Sequence, residues 1–387
     1  MSQYDNSIAV IGGGPVGLVF ALCAHARGLR PLVIERRTSA RSESRAIGIH
    51  PPSLELLDRL GLADRFLARG ILVRRGLAFG TRGVVGAINF QWLSGRHKYV
   101  LALPQQDTET LLREALMERV PDALLRGRTL TGLTQTAADV ELEITDVHGS
   151  IRHVRASAAV ACDGKYGPTR ALCGLSYTGG AYEGAYAMGD FPDTTALGEQ
   201  GAVYLTPAGL VESFPLPEGY RRWVVRRDDD ACGLPTADEV ANVVRARTGH
   251  VVSPPDARAV SGFRAEHWLA SDLSAGRVAF VGDAAHVISP IGGQGMNVGW
   301  LGAEDVAKTM ASSLRRGTNL ETALTRSSAR RRRVVGAARR RAELNMWIGR
   351  PTARPERRER VVGLLLRGLA GRIFARSVTM RGLQFGV

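Results

Sequence analysis

The chain has 387 residues, 44% of them hydrophobic and 23% charged, a balance that is typical of a folded globular protein and excludes a disordered chain. The net charge is +14, but no zinc-finger spacing, basic zipper or other nucleic-acid motif accompanies it, so we expect no nucleic-acid partner. The four cysteines form no CxxC pair and no run of about 20 apolar residues is present, which predicts a cytoplasmic chain without a metal site or a membrane span.

The elements predicted from the sequence alternate between strands and helices in the first part of the chain. They are strands at residues 8–11, 32–35, 140–145 and 154–160, and helices at residues 16–26, 52–60 and 108–120. From residue 177 to 263 the pattern changes to short aromatic strands between glycine and proline turns, which indicates an antiparallel sheet. A buried strand at residues 278–281 follows, and the remainder from Met296 is largely helical.

These elements predict an α/β fold in which a Rossmann-like lobe is interrupted by an inserted antiparallel β-sheet and followed by a helical C-terminal tail. The predicted boundaries are residues 1–176 and 266–320 for the two parts of the Rossmann-like lobe, 177–265 for the inserted sheet and 321–387 for the Arg-rich C-terminal helices.

The first motif is a glycine-rich turn, GGGPVG at residues 12–17, between the first strand and the first helix. Gly12 permits the tight turn, Gly14 lets a pyrophosphate approach the backbone, and Gly17 allows the helix to pack closely on the strand. The start of the helix offers free N–H groups and a positive dipole end to phosphates. Glu35 ends the second strand, where a carboxylate accepts hydrogen bonds from an adenosine ribose.

Two further motifs follow later strands. The late buried strand ends in Gly282-Asp283, where the backbone must approach a ligand and a carboxylate can bind a hydroxyl group. A glycine-rich loop at residues 289–297 then begins another helix, which directs backbone N–H groups and a helix dipole at one edge of a ligand. The third motif, Asp163-Gly164, also follows a strand, but alone it is a common turn pair.

In this order and spacing, the three motifs resemble those of the flavoprotein monooxygenase family typified by para-hydroxybenzoate hydroxylase, from about residue 7 to about residue 314. The resemblance implies an FAD-binding lobe and a substrate lobe, with non-covalent FAD, NADH or NADPH as reductant, and O2. The residues that it assigns to the cofactor are Gly12, Gly14, Pro15, Val16, Gly17, Glu35, Arg36, Arg45, Gln105, Asp163, Gly164, Gly282, Asp283, Pro290, Gly293, Gly295, Met296 and Asn297.

The family pattern also implies what some of these residues contact. Arg45 reaches FAD, and Gln105 contacts the flavin side, with Gln106 as the alternative in register. Asp163 and Gly164 serve both FAD and the nicotinamide cofactor, and Asp283 binds the ribitol. The loop at residues 290–297 borders the isoalloxazine ring.

Two positions depart from the family pattern. Gly167 stands where the family usually has Ser, which bears on the contact with the nicotinamide cofactor. Gly302 stands where an Asp usually precedes an Ala, which bears on helix capping and packing.

The resemblance implies a single-component monooxygenase that hydroxylates or epoxidises an aromatic, polyketide or indole-like small molecule through a flavin C4a-hydroperoxide, in secondary metabolism or aromatic catabolism. The flavin carries the chemistry, so no catalytic side chain is predicted beyond the flavin-edge loop of Pro290, Gly293, Gln294 and Gly295. The candidate substrate pocket comprises Tyr186, Tyr204, Phe214, Trp223 and Pro290. The alternative is an FAD-dependent reductase or dehydrogenase without oxygen insertion.

Alternation along the strand at residues 210–214 puts Leu210, Glu212 and Phe214 on one face of the sheet and Val211 and Ser213 on the other. The pattern does not say which face meets the flavin. It therefore leaves the orientation of the substrate lobe open.

The C-terminal part is rich in arginine. Its runs at residues 330–341 and 354–360 predict helices with a solvated face. At residues 361–374, Leu364, Leu365, Leu369 and Ile373 recur at helical spacing, which predicts a terminal helix packed on the FAD-binding lobe. The alternative is an interfacial helix that contacts a membrane surface or an acidic carrier protein.

Overall fold

The structure is a computed structural model that describes residues 7–39, 46–227 and 233–383. Its strands, in chain order, are β1 (Ser7–Ile11), β2 (Arg30–Glu35), β3 (Gly48–Ile49), β4 (Ile71–Val73), β5 (Arg75–Gly80), β6 (Gly83–Asn89), β7 (Val100–Ala102), β8 (Leu124–Arg126), β9 (Arg128–Gln135), β10 (Val140–Asp146), β11 (Ile151–Ala156), β12 (Ala158–Ala161), β13 (Tyr177–Pro192), β14 (Gly201–Thr206), β15 (Gly209–Leu216), β16 (Tyr220–Arg226), β17 (Ala259–Ala270), β18 (Ser274–Ala275), β19 (Val278–Phe280) and β20 (His286–Val287). Its helices are α1 (Pro15–His25), α2 (Pro51–Arg59), α3 (Ala63–Leu67), α4 (Gln105–Arg119), α5 (Thr169–Leu172), α6 (Ala237–Thr248), α7 (Gly295–Arg316), α8 (Leu320–Ile348), α9 (Pro355–Leu365) and α10 (Gly368–Val378).

A mostly parallel sheet forms the centre of the first lobe, in the order β18-β19-β12-β1-β2-β8. Side chains of β1 alternate between two cores: Ile8 and Val10 pack with the helices, and Ala9 and Ile11 pack with the small sheet β11-β10-β9. Both faces are therefore covered, as expected for parallel strands that are apolar throughout. The carboxyl ends of β1, β12 and β19 lie side by side, and the three glycine-containing motifs follow them.

The second sheet has eight strands, in the order β20-β17-β13-β16-β15-β14-β5-β6. Most of its pairs are antiparallel, whereas β14 and β5 pair in parallel. Three of its strands, β5, β6 and β20, come from outside residues 177–265. The division of the chain at residues 176, 265 and 320 stays a prediction.

One face of this sheet, here called the outer face, packs against α6. Its core contains Trp223, Val225 and Tyr204 from the sheet and Val240 and Val244 from α6. The segment had been expected to contain only strands, so α6 corrects that prediction. Its signals are present in the sequence: the Thr236 side chain accepts a hydrogen bond from the Glu239 N–H (3.2 Å), and Gly249 ends the helix with φ of 77°.

The opposite face, here called the inner face, packs against the loop that precedes α7 and against the C-terminal helices. Its core includes Tyr186, Met188 and Val224 from the sheet, together with Ile291 and Met346. The inner face thus meets the loop at residues 290–297. That the flavin lies on this side of the sheet stays a prediction.

The single strand predicted at residues 154–160 is wrong. The segment forms two strands: β11 pairs with β10, whereas β12 pairs in parallel with β1. The change occurs at Ser157, whose N–H donates to the Ser7 carbonyl (2.9 Å). An uninterrupted β pattern carries no sign that the chain passes from one sheet to another.

The tail also differs from its prediction. It forms two helices, α9 and α10, which contact β6 rather than packing only on the FAD-binding lobe. Leu364 and Leu369 are 66% and 71% exposed, and Leu365 and Ile373 are also exposed. The buried residues of the tail are instead Val362, Leu366, Ala375, Met380 and Leu383. A membrane or carrier contact through the exposed side chains stays a prediction.

The arginines of α8 do not simply form a solvated face. Arg331 is 2% exposed and donates to the carbonyls of Leu273 (2.8 Å) and Phe280. Arg332 donates to the Ala270 carbonyl (2.8 Å), and Arg330 pairs with Asp305 (3.3 Å). Several arginines therefore attach the helix to the strands around β19. Among the described residues, none of the helices is long and apolar enough to cross a membrane.

Candidate flavin site

The turn after β1 is built so that only glycine fits at two of its positions. Gly12 has φ of 105°, and a Cβ there would lie 2.4 Å from the Cys162 carbonyl oxygen. A Cβ on Gly17 would lie 1.9 Å from the Gly12 oxygen. At Gly14 a Cβ would meet no atom within 4 Å, so the backbone there is open to a ligand. The close contacts at Gly12 and Gly17 fit a tight turn and close packing of the helix on the strand, whereas approach of a pyrophosphate at Gly14 stays a prediction.

The start of α1 and the end of β2 lie next to this opening. The first helical hydrogen bond runs from Leu18 N–H to the Gly14 oxygen (3.0 Å), so the N–H groups of Val16 and Gly17 have no acceptor within the helix. Pro15 stands at the first helical position, where it removes no hydrogen bond. The Glu35 carboxylate accepts the Gly13 N–H at 2.7 Å, which fixes it beside the turn.

Neighbouring residues of Glu35 complete this edge. The other Glu35 oxygen accepts the Arg37 N–H (2.9 Å), and Arg36 is exposed just beyond the strand. Both carboxylate oxygens are therefore oriented by the backbone. Each keeps lone pairs for a further donor.

The turn after β12 places Asp163 against the same opening. One carboxylate oxygen of Asp163 accepts the Thr169 hydroxyl (2.7 Å) and N–H (3.1 Å), and the other is buried without a partner among the described residues. Burial raises the pKa of Asp163, opposed by the hydrogen bonds from Thr169. A Cβ on Gly167 would lie 2.0 Å from the Asp163 carboxyl carbon, so the Ser that the family usually has does not fit this arrangement.

A short turn at Gly282–Ala284 follows β19 and is held by two side chains. The Arg170 guanidinium donates to the Ala284 carbonyl (3.0 Å), and the Tyr177 hydroxyl donates to the Asp283 carbonyl (2.9 Å). Gly282 has φ of 59°, and a Cβ there would lie 3.0 Å from Val16 of α1. The turn therefore packs on α1 and leaves the Asp283 side chain exposed.

The glycine loop before α7 is fixed by Asn297. Its side-chain oxygen accepts the His50 N–H (2.9 Å), and its amide donates to the carbonyls of Gly48 (2.9 Å) and Gly293 (3.0 Å). These bonds use the Asn297 side chain to hold the loop against β3. The Asn297 side chain thus positions the loop, and the contact of Asn297 with the cofactor stays a prediction.

The backbone of this loop is open toward a ligand. Val298 donates the first helical hydrogen bond of α7, to Gln294 (3.0 Å), so the N–H groups of Gly295, Met296 and Asn297 have no acceptor within the helix. Gly293 has φ of 64°, and its N–H donates to the Pro290 oxygen (2.8 Å). Gly293 and Pro290 are exposed.

The family model described as "FAD binding domain" matches residues 5–342 of the chain. The chain belongs to this family. A rifampicin monooxygenase from Streptomyces venezuelae is 34% identical over 76% of this chain, which spans 61% of that relative's length. A 12-dehydrotetracycline 5-monooxygenase/anhydrotetracycline 6-monooxygenase from Streptomyces rimosus subsp. rimosus is 31% identical over 97% of this chain and 77% of its own.

Solved structures agree with the family fold. The OxyS anhydrotetracycline hydroxylase from Streptomyces rimosus superimposes with a TM-score of 0.80 and 28% identity, over 97% of this chain and 76% of that one. The p-nitrophenol 4-monooxygenase PnpA from Pseudomonas putida DLL-E4 gives a TM-score of 0.86 over 96% of this chain and 98% of its own. Because PnpA and this chain share only 23% identity, the similarity supports a common fold and nothing beyond it. The predicted α/β fold and the predicted family are confirmed.

The residues in and beside the three motifs fit FAD, because several of their buried polar atoms have no partner within the part of the chain that the structure describes. They are the free oxygen of Asp163, the side-chain oxygen of Gln294 and Nδ1 of His50 and His286. Buried polar atoms are normally hydrogen-bonded, so atoms left in this state suit a polar ligand. Burial lowers the pKa of His50 to about 4, so its ring is neutral at physiological pH.

The remaining residues predicted to contact FAD are Gln105, or Gln106 as its alternative, and Arg45. The Gln105 side chain accepts the Ala46 N–H (3.2 Å) and donates to Glu109 (2.8 Å), whereas Gln106 is exposed. This favours Gln105 over the alternative in register. Arg45 lies outside the described residues.

The candidate substrate residues divide between the two faces of the large sheet. Tyr186 lies in the inner-face core, stacked on Phe263 with ring centroids 5.4 Å apart. Tyr204 and Trp223 lie in the outer-face core, where the Tyr204 hydroxyl contacts His250 (2.7 Å). Both side chains point to the face opposite the loop at residues 290–297, because successive residues of a strand face opposite sides of the sheet. We therefore remove both from the candidate pocket. Phe214 lies on the same side of its strand as Leu210 and stays a candidate.

Proposed function

We propose that this chain is a single-component FAD-dependent monooxygenase that uses NADH or NADPH and O2 to hydroxylate a small aromatic or polyketide molecule. The observation that carries the proposal is the contact between the glycine-rich loop before α7 and the inner face of the large sheet. Bound FAD would supply the redox chemistry, taking electrons from the nicotinamide and passing them to O2. Every other task falls to the residues of the chain.

The dinucleotide end of the cofactor would lie along the turn after β1. The N–H groups of Val16 and Gly17 would bind the pyrophosphate, and the open backbone at Gly14 would allow its approach. Glu35, oriented by two backbone N–H groups, would accept ribose hydroxyls. Asp283 would bind the ribitol, and the free oxygen of Asp163 would accept a further donor.

The flavin ring would lie between the loop that precedes α7 and the inner face. The N–H groups of Gly295, Met296 and Asn297, with the positive end of the α7 dipole, would stabilise negative charge on the ring's pyrimidine edge. Asn297 would keep that loop in place through its contacts with β3. These dipoles are fixed before the reaction, so they need not reorganise during it.

The inner face would bind the substrate and exclude water. Its aromatic and aliphatic side chains, with Tyr186 and Phe263 stacked, offer an apolar surface for a planar molecule. Exclusion of water from this surface would limit the side reaction that releases peroxide instead of oxygenated product. The monooxygenases among the relatives, whose names specify rifampicin and tetracycline intermediates, support a substrate of aromatic or polyketide type.

The test is a screen of NADH and NADPH oxidation by the purified yellow protein against phenols, polyketides and indoles, with peroxide measured in parallel. A substrate should accelerate oxidation of the nicotinamide and lower the fraction of electrons recovered as peroxide. Oxidation of NAD(P)H with a reduced organic product and no oxygenated one would instead support a reductase.

A further inference from the structure

One carboxylate on the inner face has no role in the fold. Glu212 lies on β15, directly opposite Val203 of β14 and Val224 of β16. Val203 and Val224 belong to the inner-face core, which also contains Tyr186 and Ile291. Paired residues of adjacent strands project to the same side, so the Glu212 carboxyl group stands on the face that meets the flavin-edge loop.

Glu212 is only 8% exposed and is surrounded mainly by apolar side chains. Burial raises the pKa of Glu212 to about 7, and no hydrogen bond or neighbouring charge contributes to this shift. Buried carboxylates are normally paired or hydrogen-bonded, because desolvation of an unpaired charge is costly. A group left in this state is a candidate functional group.

A second buried carboxylate on the same sheet, Asp190, differs from Glu212 because it is paired with an arginine. Asp190 accepts two hydrogen bonds from the Arg222 guanidinium, at 2.6 and 2.7 Å, and Arg222 is itself buried. This arginine lies two residues before Val224 on β16, on the same inner face as Glu212. The nearby guanidinium is therefore committed to Asp190, whereas Glu212 has only apolar neighbours across the strands.

Tyr186 also lies on the inner face, where Glu212, Arg226 and Arg350 all act on it electrostatically. Burial raises the pKa of Tyr186, and the charge of Glu212 adds to that increase, whereas Arg226 of β16 and Arg350, which follows α8, lower it. Tyr186 is therefore close enough to Glu212 to sense its charge.

We propose that Glu212 is the residue that accepts the hydroxyl proton when this protein binds a phenolic substrate. The inference rests on the function proposed above. In the complex, the phenol O–H donates to the carboxylate. In the reaction the O–H bond breaks, the proton moves to a Glu212 oxygen and the electron pair stays on the phenol oxygen. The ring gains electron density, as attack on an electrophilic oxygen requires.

The test compares two probes that differ in one hydrogen-bond donor, 1-naphthol and its methyl ether 1-methoxynaphthalene. Their binding to the FAD-loaded protein is measured by the change in the flavin absorption spectrum. The wild type should prefer 1-naphthol by roughly 10-fold or more, since a hydrogen bond to a charged acceptor is lost in the ether. The preference should increase as pH rises through about 7, where the carboxylate ionises.

The Glu212→Gln variant should lose most of this preference and its pH dependence, because a neutral amide oxygen is a weaker hydrogen-bond acceptor than a carboxylate and does not ionise. Glu212→Asp keeps a carboxylate and should retain part of the preference for 1-naphthol. If the glutamine variant loses FAD, the comparison of Glu212→Asp with wild type tests the proposal instead. Glu218→Gln, which removes an exposed carboxylate of the same lobe, is the matched control and should behave as wild type.

Equal preference in the wild type and in Glu212→Gln would overturn the proposal, as would the absence of any preference for 1-naphthol in the wild type. Failure of the proposed function is detected separately. It would appear as wild-type protein without bound FAD or without NAD(P)H oxidation, whichever probe binds.

Discussion

At the scale of single residues, two glycines in one turn have separable tasks. A methyl group on Gly17 would overlap the Gly12 carbonyl oxygen, whereas one on Gly14 would project into open space. The first position therefore serves the fold, and the second leaves room for a ligand. The same turn can be disturbed in two ways that unfolding and cofactor binding distinguish.

We predict that Gly14→Ala leaves the unfolding free energy of the FAD-free protein near that of wild type but weakens FAD binding, because the methyl group enters the space proposed for the pyrophosphate. Gly17→Ala should reduce stability even without FAD. Urea unfolding of the apoprotein and titration with FAD measure the two effects. Wild-type FAD affinity in Gly14→Ala would show that the open space is not the ligand site.

We predict that Asp283→Ala lowers FAD affinity by roughly 10- to 100-fold, the effect of losing one or two hydrogen bonds to a charged acceptor. Glu35→Ala should act in the same direction, through the ribose. Titration of each apoprotein with FAD measures the change. Wild-type affinity in Asp283→Ala would remove this residue from the cofactor site.

Glu212 also gives the stability of the protein a defined pH dependence. Its pKa is raised from an ordinary 4.5 to about 7, so the folded state binds this proton more tightly than the unfolded state. Its contribution is therefore most favourable at low pH and falls as pH rises from 4.5 to about 7. Above that value the contribution stays low.

We predict that Glu212→Gln removes this loss and is more stable than wild type at pH 8, by an amount on the order of 1–3 kcal/mol. The difference in unfolding free energy between the variant and wild type should decrease as pH falls toward 4.5, the ordinary pKa of a glutamate. Urea unfolding of both proteins over this range measures it, with Glu218→Gln as the control. A constant difference at all pH values would contradict the buried, unpaired carboxylate.

At the scale of elements, the chemistry-bearing turns could be predicted and the packing of surface helices could not. The turn at residues 12–17 was predictable because backbone geometry restricts it to glycine at two positions. Helical spacing in the tail, in contrast, defines stripes without saying which one is buried. The stripe of Leu364 and Leu369 is exposed, and Val362 and Leu366 pack instead.

The same limit applies to the large sheet. Alternation in β15 separates Glu212 from Val211 and Ser213, but it carries no information about which set faces the flavin. The placement of α6 on the outer face decides which set faces the loop at residues 290–297, and this helix was itself missed. Tyr204 and Trp223 were consequently assigned to the pocket although they form the core beneath α6.

We predict that deletion of the chain after Arg360 gives insoluble or FAD-free protein. The deletion removes the buried side chains Val362, Leu366, Ala375, Met380 and Leu383. Buried aliphatic side chains contribute about 1.5–3 kcal/mol each, so their sum exceeds a typical stability margin. Solubility and flavin content measure the outcome.

The control for this deletion is the double variant Leu369→Ser and Ile373→Ser, which alters only exposed positions. It should remain folded and yellow. A soluble, FAD-loaded truncated protein would show that α9 and α10 are dispensable for the fold.

At the scale of the whole molecule, the two sheets have complementary tasks. The parallel sheet presents three glycine-containing turns at the carboxyl ends of β1, β12 and β19, as open α/β sheets commonly do for ligands. The large sheet presents its inner face to the loop before α7, and the buried arginines of α8 attach that helix to the strands around β19. A cofactor and a planar substrate can thus share one space.

We propose that the protein inserts oxygen into an aromatic ring in the space between the glycine-rich loop before α7 and the inner face of the large sheet. The most direct test supplies 18O2 to the FAD-loaded protein with NAD(P)H and the phenol that most accelerates NAD(P)H oxidation. We expect a product that carries one 18O atom for each substrate molecule consumed, with the second atom recovered in water. A product without 18O, or NAD(P)H oxidation that yields only labelled hydrogen peroxide with every phenol, would contradict it.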